Sequence, residues 1–194
     1  FVAGTRTRWL LAGAGAAAVF VVVYISFMGY AGDRVTAWLH PELDPGDTGY
    51  QILQSLYAIG SGGLFGLGYG KSRQKYLYLP FQYNDYIFAV ICEELGLVGA
   101  MAIVALFAVT ILRGYWIALN ARDRFSTVLA AGLVTLIAVQ TILNLCVVTN
   151  LLPSTGIALP FFSYGGTALA VNLGEMGIVL GISRGRNRRK IQEA

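Results

Sequence analysis

Three carboxylates, Asp85, Glu93 and Glu94, fall within ten residues at the start of a long apolar run. Acidic groups beside hydrocarbon are expensive unless they are paired or face a polar cavity, so the trio reads as a wet, ion-handling pocket. Asp85 itself has two readings. An Asp just before a helix accepts from orphan backbone N–H groups and caps it; a carboxylate in such a pocket can also do chemistry. If the helix began at Asp85, Glu93 would lie about 80° around it and Glu94 nearly opposite.

A second cluster precedes them. The stretch Gly60-Ser-Gly-Gly-Leu-Phe-Gly-Leu-Gly-Tyr-Gly-Lys-Ser72 resembles a phosphate loop, because glycines let backbone N–H groups approach an anion closely. A Walker loop ending at Gly70-Lys71-Ser72 needs glycine at position 65, where Phe65 stands. No strand is expected before it, and nucleotide binding is excluded. What remains is a flexible loop that presents Lys71, Arg73 and Lys75 either to an anion or to lipid headgroups.

Polar side chains also interrupt the later apolar runs. Gln140 and Asn144 lie one turn apart on one face, where they bond a neighbouring helix or line a cavity. Asn172 and Glu175 have the same two readings, and the carboxylate leans toward function. Gly177 and Gly181 form a small-residue pair that suits helix packing. Between these runs, Leu152-Pro-Ser-Thr-Gly-Ile-Ala-Leu-Pro-Phe-Phe-Ser-Tyr-Gly-Gly166 is an irregular loop, tolerated at membrane depth where it lines a cavity.

The elements that must position these residues follow from composition. Of 194 residues, 56% are hydrophobic and 12% charged, against roughly 25% charged in a soluble domain. So few charges cannot cover a water-facing surface, and the expected class is an all-α, polytopic transmembrane helix bundle. Four runs are long enough to cross about 30 Å of hydrocarbon: residues 9–28, 86–112, 126–148 and 165–183. Ten of the fourteen Lys and Arg residues flank these spans on one side, including a basic tail at 184–194. The positive-inside rule makes that side cytoplasmic, both ends included, and residues 29–85 a large extracytoplasmic loop. Within that loop Tyr50 to Ile59 is apolar but too short to span, and reads as an interfacial or re-entrant helix. The basic tail thus needs no nucleic acid to explain it. Cys92 and Cys146 are too few for a disulfide framework, and His40 alone makes no His/Cys metal cluster. The chain begins at Phe1 with no signal-peptide pattern, as expected of a piece of a longer protein.

Several motifs in order resemble the SEDS family (shape, elongation, division and sporulation; the FtsW, RodA and SpoVE group). They are Gly49-Tyr-Gln-Ile-Leu-Gln-Ser55, Ala58-Ile-Gly-Ser-Gly-Gly63, Gly66-Leu-Gly-Tyr-Gly-Lys-Ser-Arg-Gln-Lys75, Tyr78-Leu-Pro80, Asn84-Asp-Tyr-Ile-Phe-Ala89, Glu93-Glu-Leu-Gly96, Leu152-Pro-Ser-Thr-Gly156 and Leu159-Pro-Phe-Phe-Ser-Tyr-Gly-Gly166. The resemblance implies the C-terminal half of a ten-span protein, its seventh to tenth spans, in the bacterial plasma membrane. It implies an inverting peptidoglycan glycosyltransferase that polymerises lipid II, serves division, elongation or sporulation, and works with a class B penicillin-binding protein. Asp85 falls on the family's proposed catalytic carboxylate. Arg34, Lys71 and Lys75 become candidates for the pyrophosphate, with or without a divalent cation (Mg2+ or Mn2+). Gln51, Ser55, Gln74, Glu93, Glu94 and Ser163 are further candidate substrate contacts. Members often carry Glu after the Leu-Pro pair; here Phe81 follows Leu79-Pro80, so no carboxylate role transfers there. A lipid II flippase and a non-catalytic partner of a transpeptidase are the competing functions.

Overall fold

The structure is a computed structural model that describes residues 7–8, 11–13, 15–16, 19–20, 23, 29–43, 48–72 and 85–192. Described residues form helices α1 (Gly29–Leu39), α2 (Thr48–Gly62), α3 (Ile87–Leu119), α4 (Arg124–Val148) and α5 (Gly166–Gln192), with a 3-10 turn at Pro41–Leu43. The expected span at 9–28 lies mostly outside the described residues. The other three expected spans are the cores of α3, α4 and α5, each long and apolar enough to cross a membrane. Their outward side chains are apolar too: Leu97, Val98, Met101, Leu106, Val109 and Leu112 on α3 are exposed, as lipid solvation allows.

Where α3, α4 and α5 meet at one end, the packing is of small residues. Ala118, Ala130, Ala131, Val134 and Val179 form a buried cluster, and a Cβ on Gly114 would strike the Val134 side chain. Gly177 and Gly181, expected to pack, have no neighbour within 4 Å of an added Cβ. To this cluster α5 contributes Val179 and Ile182. Asp123 caps α4, its carboxylate accepting from Ser126 N at 3.0 Å and Ser126 Oγ at 2.8 Å. Those bonds hold the exposed Asp123 carboxyl below its ordinary range. At the far end Asn150 takes a left-handed conformation (φ 58°), the usual way to end a helix without glycine.

The decisive local feature is a break in α3. Gly96 has φ 67° and ψ −170°, outside the helical region. A continuous helix would bond Leu97 N–H to Glu93 C=O and Val98 N–H to Glu94 C=O. The turn after α2 wedges between them. Leu67 and Gly68 N–H donate to the Glu93 and Glu94 carbonyls at 2.9 and 3.0 Å, while Gly63 and Leu64 carbonyls accept from Leu97 and Val98 N–H at 2.9 and 3.2 Å. Two lost bonds are replaced by four. The wedge fits because it is glycine: a Cβ at Gly62, Gly66 or Gly96 would run into facing backbone, and Gly66 and Gly96 also have positive φ. The glycine stretch is therefore a backbone joint fixed to α3 through residue 68, not a free loop.

Gly96→Ala should thus cost at least about 3 kcal/mol, since it leaves several buried backbone groups without partners. Gly60→Ala, at a helical position where an added Cβ meets nothing within 4 Å, should be neutral or stabilising by up to about 1 kcal/mol. Thermal melts of the two purified variants in detergent check the contrast; equal melting temperatures would contradict it.

Candidate functional site

The joint places both glutamates. Glu93 and Glu94 occupy the last turn before the break and are 1% and 7% exposed. Ser72 Oγ, itself buried, donates to Glu93 Oε2. Glu94 Oε1 is buried with no hydrogen-bond partner among the described residues. Glu93 is engaged inside the fold rather than turned to the surface, whereas Lys71 is exposed.

Asp85 stands two residues before the start of α3. The helix starts at Ile87 with Tyr86 in the cap position and no side-chain cap. The capping reading is thus not realised at Asp85, although Asp123 does cap α4. The helical-wheel relation to Glu93 and Glu94 does not apply either, since Asp85 precedes the helix.

What fixes Asp85 is its backbone. Asn144, fully buried on α4, donates both amide hydrogens, to Asp85 O at 2.7 Å and to Ile157 O at 2.8 Å. One side chain therefore ties the turn before α3 to the irregular loop after α4. The loop supplies a wall: an added Cβ on Gly156 would sit 3.6 Å from Asp85 Oδ2. Tyr86 OH reaches Ser154 Oγ at 3.5 Å, and Arg34 Nη1 on α1 donates to Ser154 O at 3.0 Å. Trp38 Nε1 donates to Asn150 O at 3.0 Å, anchoring α1 at the loop's start.

Electrostatics at this point oppose each other. Asp85 is half-buried, and desolvation raises its carboxyl above the ordinary Asp range, while the charge of Arg34 pulls the other way. Burial is the larger cause, so the group is more basic than a surface aspartate.

The remaining expected residues divide. Ser55 is buried, and its Oγ bonds Ile52 O at 2.9 Å and Val148 O at 3.1 Å, joining α2 to α4. Ser163 Oγ accepts from Leu159 N at 2.7 Å and shapes the loop before α5. Gln51 is half-buried on α2. Gln74 and Lys75 lie outside the described residues. Gln140 and Asn172, with Thr167 and the Ile157–Ala158 backbone, line a cleft of about 470 Å³ beneath the loop. Gln140 thus borders a cleft among the described residues, which leaves both of its readings standing. For Asn144 neither partner is a helix side chain; it bonds loop carbonyls. Asn144, Ser154, Tyr86 and Gly156 are the site residues that sequence reasoning did not assign. A buried Asn opposite a Pro- and Gly-punctuated loop was the available signal. Among the described residues no three His, Cys, Asp or Glu gather to hold a metal ion.

A family model described as Cell cycle protein, FTSW_RODA_SPOVE, matches residues 1–188. The chain belongs to the FtsW/RodA/SpoVE family. Relatives of this FtsW/RodA/SpoVE chain include Stage V sporulation protein E of Bacillus subtilis, 46% identical over 95% of this chain and 50% of that protein. A protein of Trichlorobacter lovleyi named "Probable peptidoglycan glycosyltransferase FtsW" is 44% identical over 95% of this chain and 49% of its own length. The chain spans about half the length of the curated relatives it matches. A solved structure concerned with polymerization and crosslinking by a peptidoglycan synthase complex superposes with TM-score 0.72 at 31% identity, covering 92% of this chain and 49% of that one. A mutant of the Thermus thermophilus rod shape determining protein RodA gives 0.52 at 33% identity, over 68% of this chain and 40% of the other. With its apolar helices, this FtsW/RodA/SpoVE chain is a multi-pass membrane protein.

The clamp makes a definite demand. Asn144→Ala leaves two partly buried carbonyls without their donor, each worth up to about 1–3 kcal/mol, and Asn144→Asp fails equally because an ionised carboxylate cannot donate. Both should melt well below the parent in detergent; an Asp variant as stable as the parent would remove the clamp.

Proposed function

We propose that the complete protein polymerises a disaccharide carried on a lipid pyrophosphate, lipid II, into glycan at the outer face of the bacterial plasma membrane. Both ends of this chain are then cytoplasmic, as its basic residues favour. The observation that carries the reading is Asp85: a half-buried carboxylate, held by its backbone, not used as a cap, and made more basic by desolvation. It belongs to a chain whose relatives are named as peptidoglycan glycosyltransferases.

The reaction is a single in-line displacement that inverts the anomeric carbon. The acceptor hydroxyl attacks the donor sugar, its proton passes to the Asp85 carboxylate, and the lipid pyrophosphate departs with the bonding electrons. Lys71, exposed beyond the glycine joint, supplies positive charge toward that leaving group. With Asp85 the one described carboxylate placed at the reacting centre, a divalent cation would be held chiefly by substrate phosphates; such an ion would neutralise developing charge. A class B penicillin-binding protein as crosslinking partner fits the peptidoglycan synthase complex among the structural neighbours.

One observation favours lipid transport as the second reading. Broken helices are common at transporter sites, where their free ends meet the substrate. In α3, however, the ends at Gly96 are filled by glycine-loop backbone, which leaves those groups nothing to offer a substrate.

Asp85→Asn keeps size and polarity but cannot take a proton at neutral pH. Glycan formed from purified lipid II by the complete variant with its partner should fall at least about a hundredfold, with an unchanged melting temperature. Near-parent synthesis by a folded variant would withdraw Asp85 as the base.

A further inference from the structure

Arg34 reads from sequence as a pyrophosphate contact, yet its geometry serves another end. Its guanidinium on α1 donates Nη1 to Ser154 O at 3.0 Å. Ser154 Oγ is reached by Tyr86 OH from the Asp85 turn. Two residues on, Gly156 faces Asp85 Oδ2, and Ile157 O is fixed by Asn144. The strip 154–157 is therefore bracketed at both ends, by Arg34 from α1 and by Asn144 from α4, with Gly156 between them on the side of the Asp85 carboxylate. At least one donor of the guanidinium is thus engaged by the loop backbone rather than held open for a phosphate.

We infer that Arg34 is a positioning residue: it holds the 154–157 strip as the wall of the Asp85 pocket and brings a positive charge to that wall. This rests on the reading of Asp85 as base. Among the described residues, the charged or titratable groups that interact with the Asp85 carboxyl are Arg34 from α1 and the Tyr86 hydroxyl from its own turn; Asn144 of α4 meets the Asp85 backbone carbonyl instead. The charge of Arg34 opposes the upward push of burial on the Asp85 carboxyl, as the sign of their interaction requires. Loss of that charge therefore raises the Asp85 titration further. Because the base must be ionised, the acidic limb of the rate profile moves to higher pH.

The test uses the complete protein with its partner, comparing parent, Arg34→Lys and Arg34→Gln, with Arg34→Met in place of any Gln variant that does not fold. Glycan formation from lipid II is measured across pH. In parallel, modification of Asp85 by a hydrophobic carbodiimide, which attacks the protonated carboxyl, is followed by peptide mass spectrometry and needs no turnover. For Arg34→Gln, both midpoints should move to higher pH, the direction in which loss of an opposite charge pushes a carboxyl. Arg34→Lys should keep the parent midpoint with a lower rate, since the charge remains and the fork is lost. An unchanged midpoint in Arg34→Gln, or an equal rise in Arg34→Lys, would overturn the inference. A midpoint that rises in Arg34→Gln while the parent makes no glycan would uphold Arg34 and defeat the polymerisation reading instead.

Discussion

In hydrocarbon every backbone N–H and C=O must find a partner within the protein, and each failure costs several kcal/mol. The break at Gly96 opens α3 within the first third of its apolar length, and the segments that pack there are arranged around repairing it. Gly63 to Gly68 can repair it only by lying between the two half-helices, which in turn fixes α2 beside α3. Ser55 then reaches the end of α4 through Val148 O. Glu93 and Glu94 become buried because the repair covers their turn. Nothing in this sequence of consequences needs a charged pair; it needs glycines where side chains would collide.

The candidate base sits one step beyond that joint. Asp85 lies on irregular backbone, where a carboxylate has freedom that a helical position would deny it, and irregular backbone must be held. Asn144 supplies both donors at the cost of a fully buried amide. The polar residues of α4 and of the loops thus serve chiefly to satisfy carbonyls of neighbouring segments, and through them to give Asp85 a fixed wall at Gly156. Desolvation makes the carboxylate basic, while Arg34 keeps that push within bounds. A base that is held but uncapped suits an in-line displacement better than a helix cap would, since a cap would already occupy the carboxylate oxygens.

What the sequence revealed depended on range. The spans α3, α4 and α5 were legible because lipid exposure writes itself as continuous apolar residues, and Tyr50 to Ile59 was legible as a short helix, now part of α2, whereas α1 was not expected. The role of the glycine stretch was not legible. Glycines between apolar residues look like flexibility until the partner carbonyls at Glu93 and Glu94 are known, and these lie more than twenty residues away. The two glutamates read as facing a wet pocket because the buried turn is created by the joint, not by local pattern. Asp85 kept two readings in sequence because a cap and a base differ only in what the carboxylate touches. Asn144 was seen as polar and inward, but its partners are loop carbonyls whose positions no periodicity encodes.

The central claim is that this site stands on a helix spliced by loop backbone. Residue-resolved hydrogen–deuterium exchange of the complete protein in lipid nanodiscs tests it directly at Leu67, Gly68, Leu97 and Val98. The splice predicts protection of all four amides comparable to mid-span amides of α3, because each N–H has a backbone acceptor. Exchange of Leu97 and Val98 at the rate of an open helix terminus, with Leu67 and Gly68 exchanging as free loop, would contradict it.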